Sequence, residues 1–235
     1  MRINKFISES GICSRRKAEE YIKEGRVQIN GYTVSSLSKL INPDKDKVTV
    51  DGELIKPEKR VYFLMNKPAG YITTTEDEQG RKTVLDLLMK VREKVFPVGR
   101  LDYNTTGVLI LTNDGDFANA ILHPSKKIRR EYTVKIHRPL TSEDEAQMMK
   151  GYTIEGKRGK FVAMKTLNKE RTSVSVVSEE GRNHFVKLMF KARGYFVEKL
   201  HRSKFGPFDV KRMPEGAYRI VSEEEIKEFY REYRK

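Results

Sequence analysis

The sequence predicts an α+β protein in two parts: a small module over residues 1–60, and a larger part over 61–235 built on a mixed, largely antiparallel β-sheet with flanking helices. Two observations carry that expectation. Over residues 3–29, apolar side chains recur first at helical spacing and then in alternation, the pattern of helices followed by short strands. Beyond residue 60, strand-like runs and amphipathic stretches alternate irregularly, which favours α+β over repeating βαβ units. A chain of 235 residues is long enough for both parts.

In the small module, Ile3, Phe6 and Ile7 share one helical face, and Gly11 ends the turn that follows. Ser14 is placed to cap a second helix whose buried side is Ala18, Tyr21 and Ile22. Gly25 stops that helix, Val27 and Ile29 alternate as a strand, and Asn30-Gly31 signals a hairpin. Lys56-Pro57-Glu58-Lys59-Arg60 reads as a linker.

The larger part opens with a buried strand over 61–65, a turn at Asn66-Lys67-Pro68-Ala69-Gly70 and a second strand over 71–75. Residues 76–82 form a polar loop. Val84, Leu85, Leu87, Leu88 and Val91 fit an amphipathic helix with Thr83 as its N-cap. Val108-Leu109-Ile110-Leu111 predicts a buried strand, and further strands are expected over 132–136, 172–177 and 195–200. Residues 183–193 read as a helix ended by Gly194, and Ser222 with Glu225 opens a C-terminal helix as a capping box.

Composition restricts the partners. Lys+Arg number 47 against 33 Asp+Glu, a formal charge of +14, which favours a polyanion. Aliphatic runs such as 108–111 fall far short of the roughly 20 residues needed to cross a bilayer. Asn4, Lys5, Ser8, Glu9 and Ser10 interrupt any signal-peptide pattern, so a cytosolic location is expected. Cys13 is the single cysteine, which excludes an intrachain disulfide and a cysteine-based zinc site. The histidines, His123, His137, His184 and His201, lack ligand spacing. Neither GxxxxGK[ST] nor a GxGxxG after a strand occurs, and neither a metal nor a cofactor is expected.

Chemistry concentrates in Gly99-Arg100-Leu101-Asp102-Tyr103-Asn104-Thr105-Thr106-Gly107. A carboxylate at Asp102, in a loop feeding a rigid strand, can serve as base, acid or nucleophile. It is equally good turn chemistry, and Arg100 equally suits a surface ion pair. A second concentration is Arg15, Arg16 and Lys17 in the first turn of the second predicted helix, where the helix dipole disfavours positive charge. A phosphate would be held there by backbone N–H groups and side chains together, whereas a solvated charged face is the plainer reading.

Arg2-Ile3-Asn4-Lys5-Phe6-Ile7, Gly11-Ile12-Cys13-Ser14-Arg15-Arg16-Lys17-Ala18-Glu19 and Gly25-Arg26-Val27-Gln28-Ile29-Asn30-Gly31 together resemble the S4 RNA-binding domain. The resemblance implies RNA contacts by Arg15, Arg16 and Lys17, and secondarily by Lys5 and Arg26.

Gly99-Arg100-Leu101-Asp102 with the Gly107 strand, followed by Lys127-Ile128-Arg129-Arg130-Glu131-Tyr132, resembles the RNA pseudouridine synthases, in the branch that carries an N-terminal S4 domain and modifies ribosomal RNA. That resemblance implies isomerisation of uridine to pseudouridine with no external donor. It makes Asp102 the essential carboxylate, Tyr132 the active-site tyrosine, and Lys187 the basic partner of Asp102. Two positions depart from the family pattern: Lys187 stands where Arg is usual, and Phe185 where Gln is usual. Lysine keeps the charge but not the bidentate fork. Lys126, Lys127, Arg129, Arg130 and Arg182 are expected to grip RNA around a uridine that must leave its stack, with Arg100 orienting the nucleotide. Leu122-His123-Pro124-Ser125-Lys126-Lys127 and Glu180-Gly181-Arg182-Asn183 resemble large-subunit enzymes more than small-subunit ones. The partner expected is ribosomal RNA or an assembly intermediate, with no membrane and no obligate protein partner. The competing reading is a non-catalytic RNA-binding assembly factor that keeps the fold, which the Phe185 and Lys187 departures favour. A carboxylate-dependent hydrolase ranks behind both, since it would call for a metal cluster.

Overall fold

The computed structural model describes residues 1–233. The chain forms two compact units, Met1–Val61 with Arg92–Val95, and Tyr62–Val91 with Phe96–Lys235. The return of Arg92–Val95 to the first unit differs from a simple division at residue 60. Its physical reason includes a bond from Lys94 Nζ to the Ile12 carbonyl at 2.7 Å.

The first unit holds α1 (Ile3–Glu9), α2 (Arg15–Lys23), β1 (Val27–Ile29), β2 (Tyr32–Thr33), β3 (Val48–Val50) and β4 (Glu53–Leu54). Its sheet runs β2-β1-β3-β4. Ser14 caps α2 as its sequence position predicts, its hydroxyl accepting the Lys17 N–H at 3.3 Å. Asn30 and Gly31 both adopt positive φ, 52° and 85°, as the tight turn between β1 and β2 requires. Ile3, Ile7, Ala18, Ile22, Val27 and Val48 are fully buried, and each large aliphatic side chain so placed stabilises the unit by roughly 1.5–3 kcal/mol. Tyr21, expected on the buried side of α2, is only half-buried, at the margin of this core, with the Arg26 guanidinium over its ring at 3.8 Å.

The second unit begins with β5 (Tyr62–Lys67), β6 (Phe96–Val98), β7 (Thr105–Thr112) and α3 (Gly115–Leu122). Next come β8 (Arg130–Ile136), α4 (Ser142–Lys150), β9 (Tyr152–Ile154), β10 (Lys157–Gly159), β11 (Ala163–Thr166) and β12 (Ser173–Ser178). The rest is α5 (Phe185–Lys191), β13 (Val197–Phe205), β14 (Phe208–Asp209), β15 (Tyr218–Ile220) and α6 (Glu223–Tyr233). The large sheet runs β11-β12-β8-β13-β7-β5-β15. Pairing is antiparallel except between β7 and β13, whose parallel contact joins Thr105 to Leu200 and Gly107 to Arg202. Gly107 is required there. Its φ is +108°, and a Cβ would meet the Arg202 carbonyl oxygen at 2.2 Å.

Two apolar cores lie on either side of that seam. One gathers Val134, Val174, Val176, Met189 and Phe190, and the other Leu64, Val108, Ile110, Phe117, Phe208 and Phe229. The capping box predicted at Ser222 and Glu225 forms in both directions, at 3.0 and 3.2 Å.

Three expectations are corrected. Asn66 and Lys67 are not turn residues, because β5 continues through Lys67. The segment 71–75 is not a strand: Ile72 makes an isolated bridge to Thr83, and Thr73 spends its hydroxyl on the Leu101 backbone. The helix expected over 84–91 is a single 3-10 turn, Val84–Leu87. Val84 and Leu88 are buried there, but Met89 is 88% exposed and gives a longer helix no face to pack.

Candidate active site

Asp102 sits on the loop that enters β7, and buried groups of β5 and the segment after it fix that loop. Lys67, fully buried at the end of β5, donates through Nζ to the carbonyls of Pro68 (3.0 Å), Asp102 (3.1 Å), Tyr103 (3.3 Å) and Thr105 (3.0 Å). A buried ammonium needs such partners, and the Asp102 and Tyr103 carbonyls also accept the Thr105 and Gly70 N–H groups, both at 3.0 Å. Burial pushes the Lys67 ammonium down to about 8, against the pull of Asp102 and Glu215. Thr73 adds a reciprocal clamp: its hydroxyl donates to the Leu101 carbonyl (2.7 Å) and accepts the Leu101 N–H (3.3 Å). Backbone position is thus set on both sides of the carboxylate.

The carboxylate itself is 31% exposed and meets two side chains from the start of α5. Lys187 Nζ hydrogen-bonds one oxygen, and His184 Nε2 lies 3.2 Å from the other. His184 occupies the residue before α5 with φ of +52°, a left-handed turn that brings it and Lys187 to the same loop. Together the two residues engage both carboxylate oxygens, as a single arginine fork would. The substitution of lysine for arginine therefore leaves the second oxygen to a histidine. Phe185, the other departure, points into the core, 5% exposed and edge-on to Phe161 at 5.8 Å.

Asp102 lines a cavity of about 240 Å³ together with Arg100, Arg130, Tyr132, Arg182, His184, Leu200 and Arg202. Tyr132 is 9% exposed on β8, directly across from Arg202 on β13. Asp102, Tyr132 and Lys187, separated widely in sequence, are thus brought to one place. The arrangement presents an oriented carboxylate and a phenol hydroxyl at a pocket walled by cations. Among the described residues no group of three or more His, Cys, Asp or Glu could hold a metal ion.

The predicted RNA contacts divide into exposed and engaged groups. Arg100, Lys127 and Arg129 are exposed beside or near the cavity, with Arg129 3.6 Å from Glu179, while Lys126 is half-buried. Arg130 is not a surface grip. It is 6% exposed and donates to the Ile128 carbonyl at 2.9 Å, so it forms cavity wall. Arg182 is held by Glu180 and by the Arg158 carbonyl at 3.2 Å, which ties it to the β9–β10 hairpin. In the first unit Arg15 and Arg16 are exposed, while Lys17 pairs with Glu20 at 2.6 Å. Lys5 lies 3.6 Å from Glu9, and Arg26 is engaged by Asp51 (2.6 Å) and Glu24 (3.0 Å). That guanidinium also braces α2 and the β3–β4 turn.

Sequence reasoning missed Lys67, Thr73, His184 and Arg202. A lysine beside proline and glycine reads as turn, a lone threonine or histidine carries no spacing signal, and Arg202 lacks a partner in the pattern of β13. His184 adjoined a helix start that was recognised, so its nearness to Lys187 was the available clue.

An RNA-binding module ahead of a mixed sheet with this loop defines a class, and comparison with known proteins supports it. Residues 61–192 match the family of RNA pseudouridylate synthases, and residues 1–46 match the S4 domain. The chain belongs to the RNA pseudouridine synthases, enzymes of the isomerase class. Its relatives include an uncharacterized RNA pseudouridine synthase of Aquifex aeolicus, 40% identical and covering 98% of this chain and 94% of the relative. Ribosomal large subunit pseudouridine synthase B of Bacillus subtilis is 37% identical, covering 96% and 94% respectively. A solved pseudouridylate synthase structure superposes with a TM-score of 0.69 at 31% identity, over 97% of this chain and 99% of the other.

Proposed function

We propose that this enzyme isomerises specific uridines of large-subunit ribosomal RNA to pseudouridine in the cytosol, with Asp102 as the essential carboxylate. The observation that carries this reading is the meeting of Asp102, Lys187 and His184 at the cavity lined by Tyr132. In the reaction the base leaves ribose at N1, turns, and rejoins through C5. The loop clamps and the Lys187–His184 pair hold the carboxylate oriented toward the sugar, so little reorganisation is needed when substrate arrives. The Tyr132 ring stacks on the base and its hydroxyl assists proton transfer. Exposed cations around the cavity, and Arg15 and Arg16 of the S4 domain, offset the cost of taking the uridine out of its stack. The large-subunit assignment is supported by the name of the Bacillus subtilis relative and its extent of match.

The test is incubation of unmodified ribosomal RNA with the protein or its Asp102→Asn variant, followed by carbodiimide treatment and reverse transcription. Stops in the large-subunit RNA with wild type alone are expected. Stops confined to small-subunit RNA would refute the subunit assignment, and undiminished stops with Asp102→Asn would refute the role of the carboxylate.

A further inference from the structure

Two guanidinium groups in the cavity wall have no counter-charge among the described residues. Arg202 is 4% exposed, and Arg130 is 6% exposed. Arg202 donates through Nε to the Val108 carbonyl at 2.9 Å and faces the Tyr132 hydroxyl, while its Nη2 meets no acceptor. Arg130 donates to the backbone carbonyls of Ile128 (2.9 Å) and Glu179 (3.4 Å). Both guanidiniums lie 4.8 Å from the centre of the Phe205 ring, and among the described residues no carboxylate bonds either one. Burial pushes both below the usual arginine range, and the charge of Arg202 pushes Arg130 further. The acids lining the cavity are already engaged, Asp102 by Lys187 and His184 and Glu180 by Arg182. Buried charges are ordinarily paired, and an orphaned buried donor calls for a partner that the folded chain does not supply.

We infer that Arg202, backed by Arg130, is the counter-charge for an anionic pyrimidine ring in this cavity. The inference rests on the isomerase reading and deepens it. When the C1′–N1 bond breaks, its electron pair passes to the ring, which becomes a uracil monoanion, and C1′ is left electron-poor on the Asp102 side. When C5 then bonds to C1′, the pair returns from ring to sugar, C5 gives up its proton and N1 gains one, so composition is unchanged. Negative charge thus resides on the ring only between bond breaking and bond making. A fixed cation on the Tyr132 side of the cavity favours that interval over either end state.

The test does not need turnover. Barbiturate is a uracil-shaped ring that is an anion at neutral pH, so calorimetric titration of the full-length protein with barbiturate, uracil and inorganic phosphate separates ring, charge and phosphate recognition. Barbiturate is expected to bind at least about tenfold more tightly than uracil, the scale of one charged hydrogen bond. Arg202→Met should remove that preference while leaving uracil affinity within about twofold, and Arg202→Lys should retain part of it. Thermal melts establish that each variant is folded. If Arg202→Met does not fold, the same comparison is read from Arg202→Lys, where a preference equal to wild type overturns the inference. Equal affinity for barbiturate and uracil, no barbiturate binding, or phosphate binding without a barbiturate preference would also overturn it. A barbiturate preference in a protein that forms no pseudouridine would instead leave the ring-anion site standing and remove the isomerase reading.

Discussion

The loop carrying Asp102 and the start of α2 both concentrate charge, and they are built in opposite ways. Around Asp102, Lys187 and His184 engage the carboxylate, Lys67 engages the loop carbonyls, and Thr73 clamps Leu101. At α2, Arg15 and Arg16 stand exposed with no acidic partner among the described residues. The difference matches the two kinds of work proposed for them. A reacting group gains from geometry fixed before the substrate arrives, whereas a phosphate grip needs donors left open to bind.

Substitutions in the two regions should therefore fail in different ways. The largest effect is expected from Asp102→Asn, with turnover down by about 10³-fold or more and RNA affinity nearly unchanged. A parallel fall in affinity, measured by filter binding, would erase the contrast. Lys67→Met should remove about 2–4 kcal/mol of stability by deleting the ammonium that ties the Pro68, Asp102, Tyr103 and Thr105 carbonyls together. Denaturant unfolding reads this directly, and an unchanged midpoint would mean that the loop holds without its ammonium. Lys187→Met should lower turnover by about 10²-fold with melting temperature preserved, because it frees one carboxylate oxygen. Recovery in Lys187→Arg would show that a fork serves as well as the Lys187–His184 pair.

Replacing Arg15, Arg16 and Lys17 with glutamine should leave single-turnover chemistry at saturating RNA intact. It should flatten the slope of log affinity against log salt by about 2. An unchanged slope would show that the exposed charges are ordinary surface. The smallest effect concerns pH. The folded-state value of Lys67, about 8, lies below the roughly 10.4 of a free lysine, so the unfolded chain holds more protons between them. Stability contributed at this position should rise with pH across that window and stay flat below it. The difference in unfolding free energy between wild type and Lys67→Met should widen from pH 8 to 10.

Much of the first unit was legible because its signals are local: Ser14 as a cap, Asn30-Gly31 as a turn, and the spacing of Ile3, Phe6 and Ile7. The Asp102 loop, the β7 run and the Ser222–Glu225 box were legible for the same reason. The helix α3 was not, since Asn113-Asp114-Gly115 reads as turn although the Asp114 side chain accepts from Asp116 and Phe117 N–H groups as its cap. Nor was α4, whose Thr141 cap accepts the Asp144 N–H. At the site, Asp102, Tyr132 and Lys187 came from motif resemblance, while Lys67 and Arg202 are buried against expectation for their residue types. Such burial is decided by tertiary partners far away in sequence, which no local pattern records.

The parallel seam between β7 and β13 also has a consequence in time. Thr106 Oγ1 reaches His201 Nδ1 at 2.8 Å across 95 residues of chain, and the cavity needs Leu200 and Arg202 from the later strand. During synthesis, the Asp102 loop and its Lys67 clamp can form long before β13 leaves the ribosome, yet the pocket they serve cannot. The growing chain therefore carries a clamped Asp102 loop before Lys187 and His184, which engage its carboxylate, have been made, and gains its cavity only when β13 docks.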